Sequence, residues 1–486
     1  MQNFHLLENK KMSKLYVFAI GGTGSRVLKA LTMLMATGVK VPVDKIVPII
    51  IDPDTAGGNK TDTVNVMDIY RFIHKSIDHN DPQATFFHTS LEKLDFPSED
   101  YVLPLGGQTN QKFDSYMTFP SFSPENQALV NMLFSDDNLN ADMTVGFTGN
   151  PNIGSVVLNQ FAQSPQFTTF ANDFKAGDSI FIISSIFGGT GASGFPLLLK
   201  NLRHIDFNIP SAQAIMNSKI GAISVLPYFS LTPGKKTDPD SDTFMSKTKA
   251  ALAYYDNNLN NLDALYYIGD PAQQSYKNVA GGAKQKNQAH FIEFASALAI
   301  IDFAKNASSF VNGQVVYKEY GIKNDTRGIT LTDLESVDYN MLCHPMTEFT
   351  LFCQYMQNKL ESSVDQKWII QGEPNYKQDL FDNMDYNNLK LFVDYYMTWL
   401  KEMKDNDRSF EPFNLNVTND NVFGFVKNIG TRSVMNFLSN WDLVNDRLNN
   451  SVNKSKISKA QSKTLGRFIV HMNAAVKKLV NEKIKL

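Results

Sequence analysis

The sequence predicts an α/β protein, a parallel sheet covered by helices up to about residue 310 and then a mostly α-helical C-terminal region. Three observations predict it. Two glycine-rich turns, Gly21-Gly22-Thr23-Gly24-Ser25-Arg26 and Gly188-Gly189-Thr190-Gly191-Ala192-Ser193-Gly194, each follow an apolar run and precede a helix-like run. Around the first turn, the buried-strand run Tyr16–Ile20, the helical run Val27–Ala36 and the strand run Ile46–Ile51 give the β-turn-α-β order of a parallel sheet. Beyond about Asn340, the segments Phe349–Leu360, Leu389–Met403, Asn436–Leu448 and Leu465–Val480 carry apolar residues at helical spacing without a clear strand series.

Each element follows from its letters. Ile180–Ile186 is the strand into the second turn, and Ala264–Ile268 is another, closed by Asp270. In Gln285–Lys305, Phe291, Phe294, Ala295, Leu298, Ile301 and Asp302 recur at helical spacing, which predicts a helix with its apolar face on the sheet. Residues 62–140 are irregular, with Pro- and Asp-rich clusters, and read as an insertion of helices and loops. The domain expectation is an extension over 1–13, a nucleotide-binding domain over 14–310 and a helical domain over 311–486.

Composition frames these elements. The 486 residues exceed one domain at about 100–200 residues each, and 43% hydrophobic with 20% charged residues is ordinary for a folded chain. Cys343 and Cys353 alone exclude a disulfide scaffold, and the eight histidines show no ligand spacing for a transition metal. No apolar run reaches the ~18 residues of a membrane span, and Met1–Met12 is polar, so a cytoplasmic location is expected.

A glycine-rich strand-to-helix turn lets backbone N–H groups approach phosphate closely, with the positive end of the helix dipole behind them. Two such turns in one sheet can converge on one polyphosphate, and Thr23, Ser25, Thr190 and Ser193 add hydroxyl donors. The simpler reading is close strand-helix packing in an ordinary α/β fold. Neither turn contains the lysine of a Walker loop. Counting from Gly22 and Gly24, the third glycine of a dinucleotide fingerprint falls on Val27, which weakens the reading of a nicotinamide- or flavin-dependent oxidoreductase.

The second turn resembles the signature Gly-Gly-Gly-Thr-Gly-Ser/Thr-Gly of the tubulin and FtsZ superfamily, with Phe187 standing where that family has its first glycine. Thr148-Gly149-Asn150-Pro151-Asn152-Ile153-Gly154 resembles the Gly-x-Asn-Pro-x-x-Gly phosphate loop of FtsZ, and Ala176–Ile182 and Ile220–Phe229 resemble its core strands. The ordered agreement runs from Leu15 to about Phe303. It implies a tubulin/FtsZ-like fold that binds GTP or GDP with Mg²⁺, held by Gly21–Arg26, Gly149, Asn150, Pro151 and Gly188–Gly194. Gly191 would bring its backbone to the phosphates.

The same resemblance places Asn287, near the start of the central helix, at the guanine edge, and Asp270 on the base or ribose side. Capping of the helix by Asn287 or Gln288 explains the residue equally well. Asp52, in Asp52-Pro53-Asp54, stands at the position of a polar or acidic loop and is the candidate Mg²⁺ carboxylate, the alternative being a solvated turn. After Phe229 the family's Glu-Gly-Lys/Arg element is absent, Thr232-Pro233-Gly234-Lys235-Lys236 standing in its place.

In the family, an acid after the central helix completes the nucleotide site of the next subunit, so that hydrolysis depends on assembly. Asp333 and Glu335 are the candidates here, as water-positioning acids. Helix capping is their other reading. The resemblance thus implies head-to-tail self-association with slow, assembly-dependent GTP hydrolysis. A GTP-binding scaffold that does not hydrolyse is the alternative, since the C-terminal region does not resemble the family's second domain.

The chain's last thirty-odd residues carry nine lysines and arginines against Glu482, from Lys454 to Lys485, while the whole chain is at −3. Such a segment suits an acidic surface of the same protein, a protein partner, nucleic acid or anionic lipid. Its Leu465, Phe468, Ile469, Met472, Val476 and Leu479 recur at helical spacing, which favours a docked helix. No aromatic ladder accompanies the charge, which argues against single-strand nucleic acid.

Overall fold

The computed structural model describes residues 12–54, 57–96, 101–103, 111–143, 147, 150–232, 241–271, 275–277, 287–322, 328–371, 375–406, 408–432, 440–451 and 461–486. The strands β1 (Met12–Ile20), β2 (Val43–Ile51), β3 (Ser90–Leu91), β4 (Ser179–Ser185), β5 (Lys219–Val225), β6 (Ala264–Ile268) and β7 (Val316–Glu319) form one sheet. Its order is β3-β2-β1-β4-β5-β6-β7, and every pairing is parallel. The central strands are apolar runs because helices cover both faces. All seven residues of β4 are buried.

Side chains alternate along β1 and sort the helices into two layers. Leu15, Val17 and Ala19 face one core, shared with α1 (Gly21–Ala36), α2 (Gly58–His74) and α6 (Phe291–Asn306). Tyr16, Phe18 and Ile20 face the other, shared with α3 (Pro151–Leu158), α4 (Gly189–Arg203) and the inner side of α5 (Ser241–Asn258). This is the doubly wound, Rossmann-like arrangement that the alternating strand and helix signals predict.

The C-terminal helices α7 (Ser336–Asn358), α8 (Met384–Asp405) and α9 (Thr464–Lys483) join the first core instead of building one of their own. Central helix α6 is therefore apolar nearly all round, as a helix enclosed on both sides must be. Phe294 meets Trp399 of α8 at 6.2 Å and Phe410 at 4.7 Å between ring centroids. The six apolar residues of α9 named above are all buried, as their spacing predicts. Cys343 and Cys353 are buried in α7 as free thiols.

Two boundaries differ from the expected ones. Strand β7 lies beyond residue 310 yet pairs with β6, so the sheet takes one more strand than the polar sequence of Val316–Glu319 announces. Residues 62–74 belong to α2, which lies along α1, and Ser90–Leu91 extends the sheet beside β2. Their apolar residues are interrupted by Asp, Arg and His, which hides the helix face. No described helix is long and apolar enough to cross a membrane. The extension over 1–11 and Lys454, Lys456 and Lys459 lie outside the described residues.

Candidate functional site

Strands β1 and β4 are neighbours, with Ala19 opposite Ile183, and the chain leaves them in opposite directions, toward β2 and toward β5. Such a reversal of strand order leaves a crevice at the carboxyl ends of the strands. Both glycine turns open into it. Gly21, at φ +71°, occupies the left-handed region, and a Cβ built there would lie 3.6 Å from the Thr190 Cβ, so the two turns touch.

Helices α1 and α4 begin directly from these turns. Neither N-cap residue, Ile20 or Gly188, gives a side-chain cap, and neither first turn holds an acid. Among the described residues the first-turn N–H groups have no side-chain cap, and they stand at the positive ends of two helix dipoles. A third helix start joins them. Pro151 opens α3 at N1 after Asn150, again without a side-chain cap. A Cβ on Gly154 would lie 3.1 Å from Gly189 O, so α3 crosses α4 at its first turn.

The glycines divide by what surrounds them. A Cβ at Gly24 would stand 2.7 Å from the carbonyl carbon of Ala19, and one at Gly191 would stand 2.8 Å from the Ser185 backbone N. Gly194 faces Ile20 and Leu158. These three allow helix and strand to approach, so a side chain added at Gly191 would meet the Ser185 backbone and not the crevice. At Gly22 the nearest atom would be Arg26 Nη1 at 3.7 Å, so this position is open. We expect Gly191→Ala to lower stability by about 1–3 kcal/mol through overpacking, measurable by urea unfolding. Retained wild-type stability would mean that the backbone there yields.

Ser193 Oγ donates to Gly189 O at 2.7 Å and Ser25 Oγ to Gly21 O at 3.4 Å, so these hydroxyls brace the first turns of their helices. Thr23 is buried beside Arg26, Thr190 half-buried at the contact of the two turns, and Ala192 half-buried on α4. Phe187 packs edge-on against Tyr228 and Phe229, at 6.0 and 5.4 Å. Its ring thus turns into the core, which explains how a bulky residue fits this turn.

Arg26 is held by core partners through Nε and Nη2, while its Nη1 lies nearest to Gly22. Its Nε meets Glu293 Oε1 at 2.5 Å and its Nη2 donates to the Tyr228 hydroxyl at 2.6 Å, all three side chains being buried. Tyr228 donates to the same Glu293 oxygen at 2.9 Å. Glu293 and His290 form the capping box of α6, His290 Nδ1 accepting from Ile292 N at 3.0 Å. Burial lowers the His290 pKa, which keeps Nδ1 free to accept.

Asp52 ends β2 directly beside Gly21, since Ile51 pairs with Ile20. Burial pushes its carboxyl up to about 6, against a hydrogen bond from Asp54 N and the nearby Lys60 ammonium. Among the described residues no group of three or more His, Cys, Asp or Glu side chains is placed to hold a metal. Mg²⁺ in nucleotide sites needs only one or two carboxylates besides phosphate oxygens, and a half-buried carboxyl at the crevice edge fits that role.

The remaining candidates are dispersed. Asp270 is paired with Arg408, Nε to Oδ2 at 2.8 Å, which ties the end of β6 to the C-terminal region. The Asn287 backbone N donates to Asn59 Oδ1 at 3.1 Å, at a cavity of about 80 Å³ that it shares with Arg26, Glu293 and Glu402. Asp333 Oδ2 accepts from Thr330 N and Oγ1, each at 2.8 Å, in a capping box, and Glu335 is exposed at the N-cap of α7. The capping alternative therefore describes Asp333. Gly149 lies outside the described residues.

Sequence reasoning missed Glu293, Tyr228, His290 and Lys60. His290 three residues before Glu293 is a capping-box spacing, which could have marked the helix start. Nothing local in the sequence joins Arg26 to Glu293.

No protein-family model matches the chain, and no curated protein matches it. Among solved structures it is similar to CetZ2 from Haloferax volcanii, described as a GTPγS-bound protofilament, at 14% identity and a TM-score of 0.29. That similarity covers 60% of this chain and 59% of that one, so the chain spans about three fifths of that protein's length. The class that the molecule's own geometry defines is a doubly wound α/β protein with two glycine turns meeting where the strand order reverses.

Proposed function

We propose that this chain binds a nucleoside triphosphate, GTP with Mg²⁺, with its phosphates across the two glycine turns. The observation that carries the reading is the contact of Gly21 with Thr190 at the reversal of strand order, in front of uncapped helix starts. Several helix N-termini at one crevice favour an anion more than one does. Asp52 would hold Mg²⁺, which supplies charge neutralisation of the phosphates. Calorimetric titration with GTP, ATP and NAD tests the reading: GTP binds tightest, and tighter NAD binding overturns it.

The Asp52 carboxyl makes the reading pH-dependent. A carboxyl raised to about 6 in the fold contributes stability below its unfolded pKa of about 4, and loses it as pH rises through 6. A bound cation favours the ionised form and offsets that loss. Mg²⁺ with GTP should therefore raise the melting temperature more at pH 7.5 than at pH 5, and Asp52→Asn should remove the difference. An equal shift at both pH values would take Asp52 out of the site.

Head-to-tail association of copies, with Glu335 reaching the next subunit's phosphates, would make hydrolysis depend on assembly. One observation favours the scaffold alternative. Asp333 is already engaged by Thr330, which leaves Glu335 as the acid able to reach a neighbour. Turnover per subunit that rises with concentration and falls at least tenfold in Glu335→Ala supports shared hydrolysis. A flat or absent rate with intact GTP binding supports the scaffold.

A further inference from the structure

Lys60 is a charged side chain beside the crevice to which the phosphate reading gives no task. It stands at the third position of α2 and is 8% exposed, although a lysine seldom gives up the water around its ammonium unless an anion replaces it. The position is unfavourable a second time. The first turn of a helix is its positive end and repels a cation, and Gly57, the N-cap of α2, gives no side-chain cap.

Its surroundings within the chain are the acidic turn that ends β2. Lys60 Nζ donates to the Asp54 carbonyl oxygen, and the Asp52 carboxyl is close enough to feel its charge. A Cβ on Gly57 would lie 3.3 Å from Asp54 Oδ2, so this turn faces the start of α2. The turn follows Ile51, which pairs with Ile20 in front of Gly21. Residues on either side of Lys60 fix the helix there. Thr63 Oγ1 donates to Ser25 O at 2.9 Å, and Asn59 Oδ1 accepts from Asn287 N at 3.1 Å.

Resting on the phosphate reading above, we infer that Lys60 binds the terminal phosphate of a nucleoside triphosphate and gives the site its preference for triphosphate over diphosphate. The end of the phosphate chain is the relevant one because Mg²⁺ on Asp52 would bridge the last two phosphates, and Lys60 faces the same carboxyl. A lysine ammonium is a compact charge on a flexible stem, so it can turn from the Asp54 carbonyl to a phosphate oxygen without moving α2. Pairing with Asp52 alone is the simpler role. It would affect triphosphate and diphosphate alike.

Titrations with GTP and with GDP, in Mg²⁺ and in EDTA, test this on wild type and Lys60→Met. Lys60→Met should weaken GTP at least tenfold and GDP less than threefold. In EDTA, wild type should still prefer GTP by about fivefold or more, since Lys60 remains when Mg²⁺ is gone. That result decides the matter if Lys60→Met does not fold. Unchanged GTP affinity in Lys60→Met, or equal losses for GTP and GDP, overturns the assignment. Wild type that binds GTP in Mg²⁺ but shows equal or undetectable binding of the two in EDTA overturns it too, while leaving the phosphate site standing. Wild type that binds neither nucleotide in Mg²⁺ removes both proposals.

Discussion

Gly22→Asp is expected to abolish nucleotide binding, by a factor of 100 or more, in a protein that melts at or slightly above the wild-type temperature. The two effects separate because Gly22 is half-buried and open, with Arg26 Nη1 at 3.7 Å the nearest atom to a new Cβ. A carboxylate in the first turn of α1, which has no acid of its own, interacts favourably with the helix dipole, by about 0.3–1 kcal/mol. The same carboxylate occupies the place where the proposed phosphate would sit and repels it. A hundredfold loss corresponds to about 2.7 kcal/mol, which one like charge at close range in a crevice readily supplies. Calorimetry with GTP and a thermal melt on the same sample give both numbers. Unaltered GTP affinity would show that the first turn is only a strand-to-helix connection. A large drop in melting temperature would show that Gly22 is a packing glycine like Gly24.

The sheet was legible where burial writes one unambiguous pattern. Strands β1, β2, β4 and β5 read as near-continuous apolar runs because helices cover both their faces, and the glycine turns mark where two of them end. Strand β7 was not, because at the edge its residues are largely exposed and carry no buried-strand pattern. In the site, the letters located the turns but not the direction in which each glycine faces. Gly24 and Gly191 hold the same place in the two Gly-Gly-Thr-Gly turns, and only the fold shows that both face strand backbone, at Ala19 and at Ser185. Arg26 illustrates the same limit. A cation in a phosphate turn reads as a ligand group until the fold brings Glu293, 267 residues away, against it.

That pair gives the second large effect. Arg26→Met should destabilise the protein by about 3–5 kcal/mol, the cost of leaving one partner of a buried ion pair alone. Glu293 would keep the hydrogen bond from Tyr228 and the one from His290 N, but not the buried guanidinium that faces it. Removing both partners in Arg26→Met, Glu293→Met should cost much less than the sum of the two single changes, because well-packed apolar side chains can replace a buried pair at little net expense. What the double variant does not restore is position. Arg26 Nη2 also reaches Thr23 Oγ1 at 3.4 Å, and the pair joins the first turn of α1 to the start of α6, which carries the C-terminal helices on its far side. The double variant should therefore recover most of its urea midpoint yet bind GTP several-fold more weakly than wild type. If GTP affinity recovers together with stability, the pair is a core contact that the site does not use. If each single variant costs less than about 1 kcal/mol, solvent reaches the pair and the enclosed link between turn and central helix does not exist.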